Sequence, residues 1–259
     1  MKEFLGFGGY QREAEGYFSW QHLLFVTIVI AIMTGLAVYF GVKNKNKSPE
    51  IKNRVMIVAA ILIDAFELFK IVVFCLRANA PMDWVYHLPL FLCSIQLITI
   101  PLAAFSHGRV KESSLDFVSI FGLLGAVLGT YLAGNNYSVY PVLSIDNVVS
   151  AITHAISGFC ALYILISGMA SMKKNNIFIT FGILIFFCIG AYVANIFTDR
   201  NYMFLSRGDG TPYDILFSLV GGHPVLYPVG VVLLFIVYII GFYWIYFRVT
   251  NKSRAKAAV

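Results

Sequence analysis

Charged residues are scarce in this chain. Asp, Glu, Lys and Arg make up only 12% of its 259 residues, whereas a soluble globular domain contains about 25%. Hydrophobic residues account for 59%, and the mean hydropathy is +0.79. These values exclude an ordinary soluble domain and predict an all-α membrane protein that forms one polytopic domain over residues 1–259.

The chain also lacks the cysteine and signal patterns of secreted or metal-binding proteins. Its four cysteines form no C-x-x-C pair, so we expect neither a disulfide framework nor structural zinc. Charged residues precede the first apolar run within Met1–Ser19, which is unlike a cleavable signal peptide. Apart from Asp64 and Glu67, no pair of His or carboxylate residues has metal-ligand spacing, and we expect no metal and no cofactor.

The net charge of +6 does not indicate nucleic-acid binding, because no interleaved basic and aromatic surface accompanies it. Basic residues in a membrane chain set its orientation and contact lipid headgroups. We therefore expect membrane phospholipids as partners, no nucleic acid, and a multi-pass location in the cell membrane.

Seven apolar stretches are long enough to cross a bilayer as helices of about 20 residues. They are Trp20–Val42, Val55–Leu76, Val85–Phe105, Phe117–Ala133, Val148–Met172, Ile177–Thr198 and Val225–Arg248. Of the 19 Lys and Arg residues, 13 follow the first, third, fifth and seventh stretches, and five lie on the other side. The positive-inside rule then predicts a seven-helix bundle with its N-terminus outside and its C-terminus in the cytoplasm.

Several polar residues lie inside these apolar stretches, where an ionisable group is costly and by default marks a functional site or a buried pair. They are Asp64, Glu67, Lys70, Cys93, Gln96, His154 and Asn195. At 1.5 Å per residue, Cys93 lies roughly 12 Å and His154 roughly 9 Å below the outer surface. If the second, third, fifth and sixth stretches are neighbours, these polar groups form one site in the outer leaflet.

This set of residues suits nucleophilic catalysis by a thiolate. A thiol needs a base to ionise at neutral pH, and His154 could take the proton from Cys93. Gln96 and Asn195 could donate to an oxyanion, and Lys70 could bind a phosphate headgroup. The structural alternatives are an intrahelical Glu67–Lys70 ion pair and hydrogen bonds between helices.

Two segments carry a resemblance to a known family. The third stretch contains H-L-P-L-F-L-C-S (His87–Ser94), and the exit of the sixth reads N-I-F-T-D-R-N-Y-M-F-L (Asn195–Leu205). The chain resembles the YwaF-like family of bacterial integral membrane proteins over most of its length. That family is similar to an animal transmembrane acyltransferase that remodels ether phospholipids. It is more distantly similar to membrane hydrolases of fatty-acid esters that use a threonine and a histidine.

The resemblance implies that Cys93 is the nucleophile and His154 the base. Asn201 and Tyr202 are expected to support the site or bind substrate, although Arg200 stands where the family often has glycine. His87, near an outer boundary, could position a headgroup or simply be solvated. The function it implies is an acyltransferase or transacylase that acts on phospholipid esters through a thioester.

Two other functions are compatible with the same residues. Asp64, Glu67, Lys70 and His154 could relay protons or ions in a transporter, in which case Cys93 is incidental. A seven-span receptor is favoured only by the number of stretches.

Overall fold

Helices make up all the regular structure of the described residues. The computed structural model describes residues 1–170 and 172–257, without the side chains of Pro81, Asp83, Tyr86 and residues 251–257. Ser171, which falls in the fifth predicted stretch, and residues 258 and 259 lie outside that description. The α-helices in it are α1 (Lys2–Leu5), α2 (Trp20–Asn44), α3 (Pro49–Ala78), α4 (Gln96–Phe105), α5 (Gly108–Tyr131), α6 (Gly134–Val139), α7 (Ile145–Ser167), α8 (Ile177–Thr198), α9 (Tyr213–Leu219) and α10 (Leu226–Ala257). Short 3-10 helices cover Pro81–His87, Lys174–Asn176 and Tyr202–Phe204.

Five helical segments within the described residues are long and apolar enough to cross a membrane. They are Trp20–Asn44, Gly108–Val139, Ile145–Ser167, Lys174–Thr198 and Leu226–Thr250. The chain is therefore a helical membrane protein, as its composition predicts. Helix α3 has 30 residues, but three charged side chains interrupt its apolar run. The seven-span count and the orientation of the termini stay predictions.

The third predicted stretch is not one helix, and this expectation was wrong. Between the 3-10 helix Pro81–His87 and α4 the chain runs through irregular turns. The cause is Pro89, which pushes the preceding residue out of helical geometry. Leu88 accordingly has φ −60° and ψ 145°. Cys93 thus lies in a turn just before α4, whereas Pro101 is accommodated inside that helix.

The chain divides into two compact units, residues 1–171 and 172–259. The prediction of one polytopic domain is not tested by this division and stays a prediction. In the first unit α7 is central and packs against α2, α3 and α5, while α4 packs against α3 and α5. The second, third and fifth predicted stretches are therefore neighbours. Tyr163 anchors the core: its hydroxyl donates to the Lys52 carbonyl at 3.0 Å and accepts from Asn44 at 3.1 Å.

The segment before α2 is fastened to the ends of α3 and α7 by a buried ion pair. Arg77 donates to both carboxylate oxygens of Asp146, at 2.9 and 2.8 Å. The Tyr10 hydroxyl donates to the same carboxylate, and the Arg77 guanidinium lies 4.8 Å from the Phe74 ring centroid. Asp146 is only 5% exposed, so each charge depends on its partner.

The second unit contains α8, α9 and α10. Helix α8 packs against α10, where the Thr180 and Tyr243 hydroxyls lie 3.3 Å apart. Helix α9 also packs on α10, through the rings of Tyr213 and Phe235 with centroids 6.2 Å apart. The loop between α8 and α9 is fixed by the side-chain amides of Asn195 and Asn201, described below.

Candidate active site

Cys93 lies in the turn that leads into α4. Its Cβ is 3.5 Å from the point where a Cβ on Gly125 of α5 would stand, which is ordinary van der Waals contact. The side chain retains partial exposure, and the Ser94 hydroxyl lies beside its thiol.

His154 is held in one tautomer by its own helix. The Nδ1 atom is 2.7 Å from the Ser150 carbonyl oxygen one turn earlier in α7. A carbonyl oxygen can only accept, so Nδ1 must carry the hydrogen of this bond. In the neutral imidazole, Nε2 is then the unprotonated nitrogen and can take up a proton.

The imidazole of His154 occupies space that a side chain at residue 129 would need. A Cβ on Gly129 would come closer than 3.0 Å to the Cδ2 and Nε2 atoms, an approach that real Cβ atoms essentially never show. Gly125 and Gly129 are four residues apart and share one face of α5. The helix therefore presents adjacent backbone surfaces to Cys93 and to His154, and no side chain separates the two groups there.

The Cys93 thiol and the His154 imidazole lie close enough to act on each other electrostatically. Nε2 of His154 is buried and has no hydrogen-bond partner among the described residues. Catalytic hydrogen bonds are often long or poorly aligned before substrate binds. The arrangement is a nucleophile beside a base, with the base oriented by the Ser150 carbonyl.

Three of the other expected residues of the first unit have surroundings that the structure defines. Glu67 and Lys70 form the intrahelical ion pair with an N–O distance of 2.7 Å, which confirms that alternative. Lys70 is close enough to act electrostatically on His154. Gln96 is fully buried, and its Oε1 accepts from the Thr99 hydroxyl at 3.1 Å. Its Nε2 has no hydrogen-bond partner in the part of the chain that the structure describes.

The remaining expected residues of the first unit, His87 and Asp64, are less closely associated with the Cys93–His154 pair. His87 lies against the Phe74 ring, with a centroid separation of 5.0 Å. Asp64 is on the exposed part of α3. Among the described residues there is no group of three or more His, Cys, Asp or Glu side chains that could hold a metal ion.

Asn195, Asn201 and Tyr202 belong to the second unit. There the side chains of the two asparagines form hydrogen bonds with backbone groups of the loop after α8. The Asn195 amide accepts from the Tyr202 N–H at 2.6 Å and donates to the Tyr202 carbonyl at 3.1 Å. Asn201 accepts from the Ser206 N–H at 2.9 Å and donates to the Arg207 carbonyl at 2.7 Å. These bonds give both asparagines a structural role in the loop after α8. Their proximity to Cys93 stays a prediction.

Sequence reasoning missed three residues of the site: Ser150, Gly125 and Gly129. The spacing of the glycines was visible in the sequence, but it is also typical of close helix packing. Only the residue that faces each glycine shows whether the glycine serves helix packing or makes room for a residue of the site. The Ser150 contribution is a backbone carbonyl, which no residue type signals.

Comparison with known proteins identifies a family. The model of the TMEM164 family, a transmembrane family, matches residues 17–246, which include every site residue described above. No curated protein and no solved structure matches the chain.

Proposed function

The chain belongs to the TMEM164 family, and from that premise and the geometry of Cys93 and His154 we propose that it is a membrane-embedded acyltransferase or transacylase. Its substrates are phospholipid acyl esters, and the acyl group is carried as a thioester on Cys93. The observation that carries the proposal is the Nδ1–Ser150 hydrogen bond, at 2.7 Å. It leaves Nε2 of His154 as a buried base beside a thiol.

The reaction begins when Nε2 takes the proton of the Cys93 thiol. The thiolate attacks the ester carbonyl carbon, and the C–S bond forms as the carbonyl oxygen becomes an oxyanion. The oxyanion collapses, the C–O bond breaks, and the leaving alkoxide of the lysophospholipid takes the proton from Nε2. The acyl group is then bound to sulfur, and His154 is neutral again.

A second alcohol completes the cycle. The hydroxyl of an acceptor lipid attacks the thioester carbonyl while Nε2 removes its proton. When the C–S bond breaks, the thiolate leaves and recovers a proton from His154. Water in place of the lipid alcohol would give hydrolysis by the same steps, so acceptor access decides between transfer and hydrolysis.

Two neighbouring side chains suit the charges that develop. The unpaired Nε2 of Gln96 is a buried donor three residues from the nucleophile, and a donor of this kind stabilises an oxyanion. Lys70 acts electrostatically on His154, and a lipid phosphate would compete with Glu67 for it. In this proposal His87 shapes the substrate path, while Asn195 and Asn201 hold the loop around Tyr202 in the second unit. The bundle crosses the membrane seven times, with the N-terminus outside.

The proposal is tested with purified protein in phosphatidylcholine nanodiscs that contain a lysophospholipid acceptor. Cys93→Ser is expected to reduce acyl transfer to background, and His154→Ala to reduce it by about 10²–10⁴-fold, the usual contribution of a general base. Cys75→Ser, which removes another partly exposed cysteine, serves as the matched control and keeps activity. A thiol-reactive lipid ester should label Cys93 alone.

Two outcomes would reject the thioester mechanism: transfer that survives Cys93→Ser, or lipid-ester labelling that is unchanged in Cys93→Ala. The transporter alternative predicts the reverse pattern, with flux altered by Asp64→Asn and unaffected at Cys93. It has less structural support, because Glu67 and Lys70 are bonded to each other.

A further inference from the structure

An apolar groove runs between α2, α3 and α7 on the surface of the first unit. Its volume is about 600 Å³. Aliphatic and aromatic side chains line it from all three helices, including Leu36, Val58, Ile156 and Phe159. Among the described residues that line it, Arg54 alone is charged.

The groove has the length of one membrane leaflet. Along α2 its lining begins at Val29 and ends at Phe40, and eleven steps of 1.5 Å give roughly 16 Å. Half of a hydrocarbon core of about 30 Å is about 15 Å. A groove of this depth accommodates one acyl chain from its headgroup end to the bilayer midplane.

Arg54 is placed where that acyl chain would meet its headgroup. It stands in the first turns of α3, beside Val55, at the groove end formed by Phe40 of α2. The α2–α3 connection at this end also carries Lys45 and Lys47. Arg54 makes no ion pair with any residue that the structure describes, so its charge is available to a ligand.

We propose that this groove binds one anionic phospholipid, with an acyl chain between α2 and α3 and its phosphate on Arg54. The groove is complementary to both parts of such a lipid. Its apolar surface suits the acyl chain, and the unpaired positive charge of Arg54 suits the phosphate. The site is separate from the Cys93–His154 pair. Its α7 contacts are Ile152, Ala155, Ile156 and Phe159, whereas His154 faces α5. The inference does not depend on the proposed acyltransferase activity.

The charge at Arg54 is tested by native mass spectrometry of delipidated protein offered phosphatidylglycerol or phosphatidylcholine with identical acyl chains. Phosphatidylglycerol should be retained roughly fivefold better, the effect of about one basic residue at a headgroup. Arg54→Gln should remove this preference. Lys47→Gln removes an exposed cation of the same connection that does not line the groove, and it should keep the preference. Equal retention of the two lipids by the unaltered protein would overturn the proposal.

The groove itself is tested by filling it. Val58→Trp places an indole in the lining of the groove and should abolish retention of phosphatidylglycerol. Val38→Trp is the matched control. Both valines are exposed, 56% and 45% respectively, but only Val58 lines the groove. Phosphatidylglycerol retained undiminished by folded Val58→Trp protein would overturn the assignment. Loss of acyl transfer in the Cys93 variants would leave this result unchanged, so failures of the two proposals are distinguishable.

Discussion

Gly129→Ala is expected to disable the active site by displacing a single ring. The added methyl group would stand closer than 3.0 Å to the His154 imidazole, whereas ordinary contact begins at 3.4 Å. The ring must move by at least several tenths of an ångström, and its 2.7 Å bond to the Ser150 carbonyl moves with it. The substitution adds no charge and suits a helix, so its effect is steric.

The size of the effect follows from that displacement. A misplacement of about 1 Å in a catalytic group can cost about 10²-fold in rate. We therefore expect Gly129→Ala to lower acyl transfer by roughly tenfold to a hundredfold. Overpacking in a well-packed interior costs about 1–3 kcal/mol of stability, so the melting temperature should fall while the protein remains folded.

Two measurements separate a displaced base from general damage. The first is acyl transfer in nanodiscs. The second is the rate at which iodoacetamide alkylates Cys93, read by peptide mass spectrometry across pH 6–9. If His154 takes the proton from Cys93, moving it should slow alkylation near neutral pH, and the difference should shrink where the thiol ionises without help.

Gly125→Ala is the matched control, because it makes the same change one turn earlier in α5. Its new Cβ would be 3.5 Å from the Cβ of Cys93, a normal contact, so activity should stay within a few-fold. Wild-type transfer and alkylation in Gly129→Ala would refute the placement of His154 against α5. Equal losses in both variants would show that the two glycines serve only helix packing.

Three further changes are predicted. Asp146→Asn leaves Arg77 without its buried partner and should lower the free energy of unfolding by about 3 kcal/mol, measured by denaturation in detergent. Burial, then the hydrogen bond to Asp146, raises the pKa of Tyr10 from 10.0 to about 12. The resulting stability is present below pH 10 and is lost as pH rises toward 12, so the melting temperature should fall in that window and fall less in Tyr10→Phe. Asn195→Ala removes the acceptor of the buried Tyr202 N–H and should cost about 2 kcal/mol.

Each of these has an outcome that contradicts it. The control for Asp146→Asn is Asp209→Asn, which alters an ion pair in which the Arg207 side chain is 51% exposed. It should lower the free energy of unfolding by less than about 1 kcal/mol. A loss equal to that of Asp146→Asn would contradict the argument that the buried pair is the more important one. An alkaline melting profile identical in Tyr10→Phe would show that Tyr10 does not titrate in that window. Unchanged stability in Asn195→Ala would mean that its bond to Tyr202 is dispensable.

The sequence determined the features that depend on composition and on local spacing. Low charge and long apolar runs identify a helical membrane protein, because bilayers admit few other backbones. The ion pair of Glu67 and Lys70 follows from i, i+3 spacing in one helix. The estimated depths of the polar residues in the bilayer also indicated Cys93 and His154 as the candidates for chemistry.

Tertiary structure decided the features of the site that composition and local spacing do not determine. The break before α4 places Cys93 in a turn, and a hydropathy pattern does not register a break whose residues stay apolar. The proximity of Cys93 to His154 depends on α4 and α7 meeting across a bare face of α5. Packing of this kind depends on residues far apart in sequence. The role of Gly125 and Gly129 in the site is therefore evident only once the residues that face them are known.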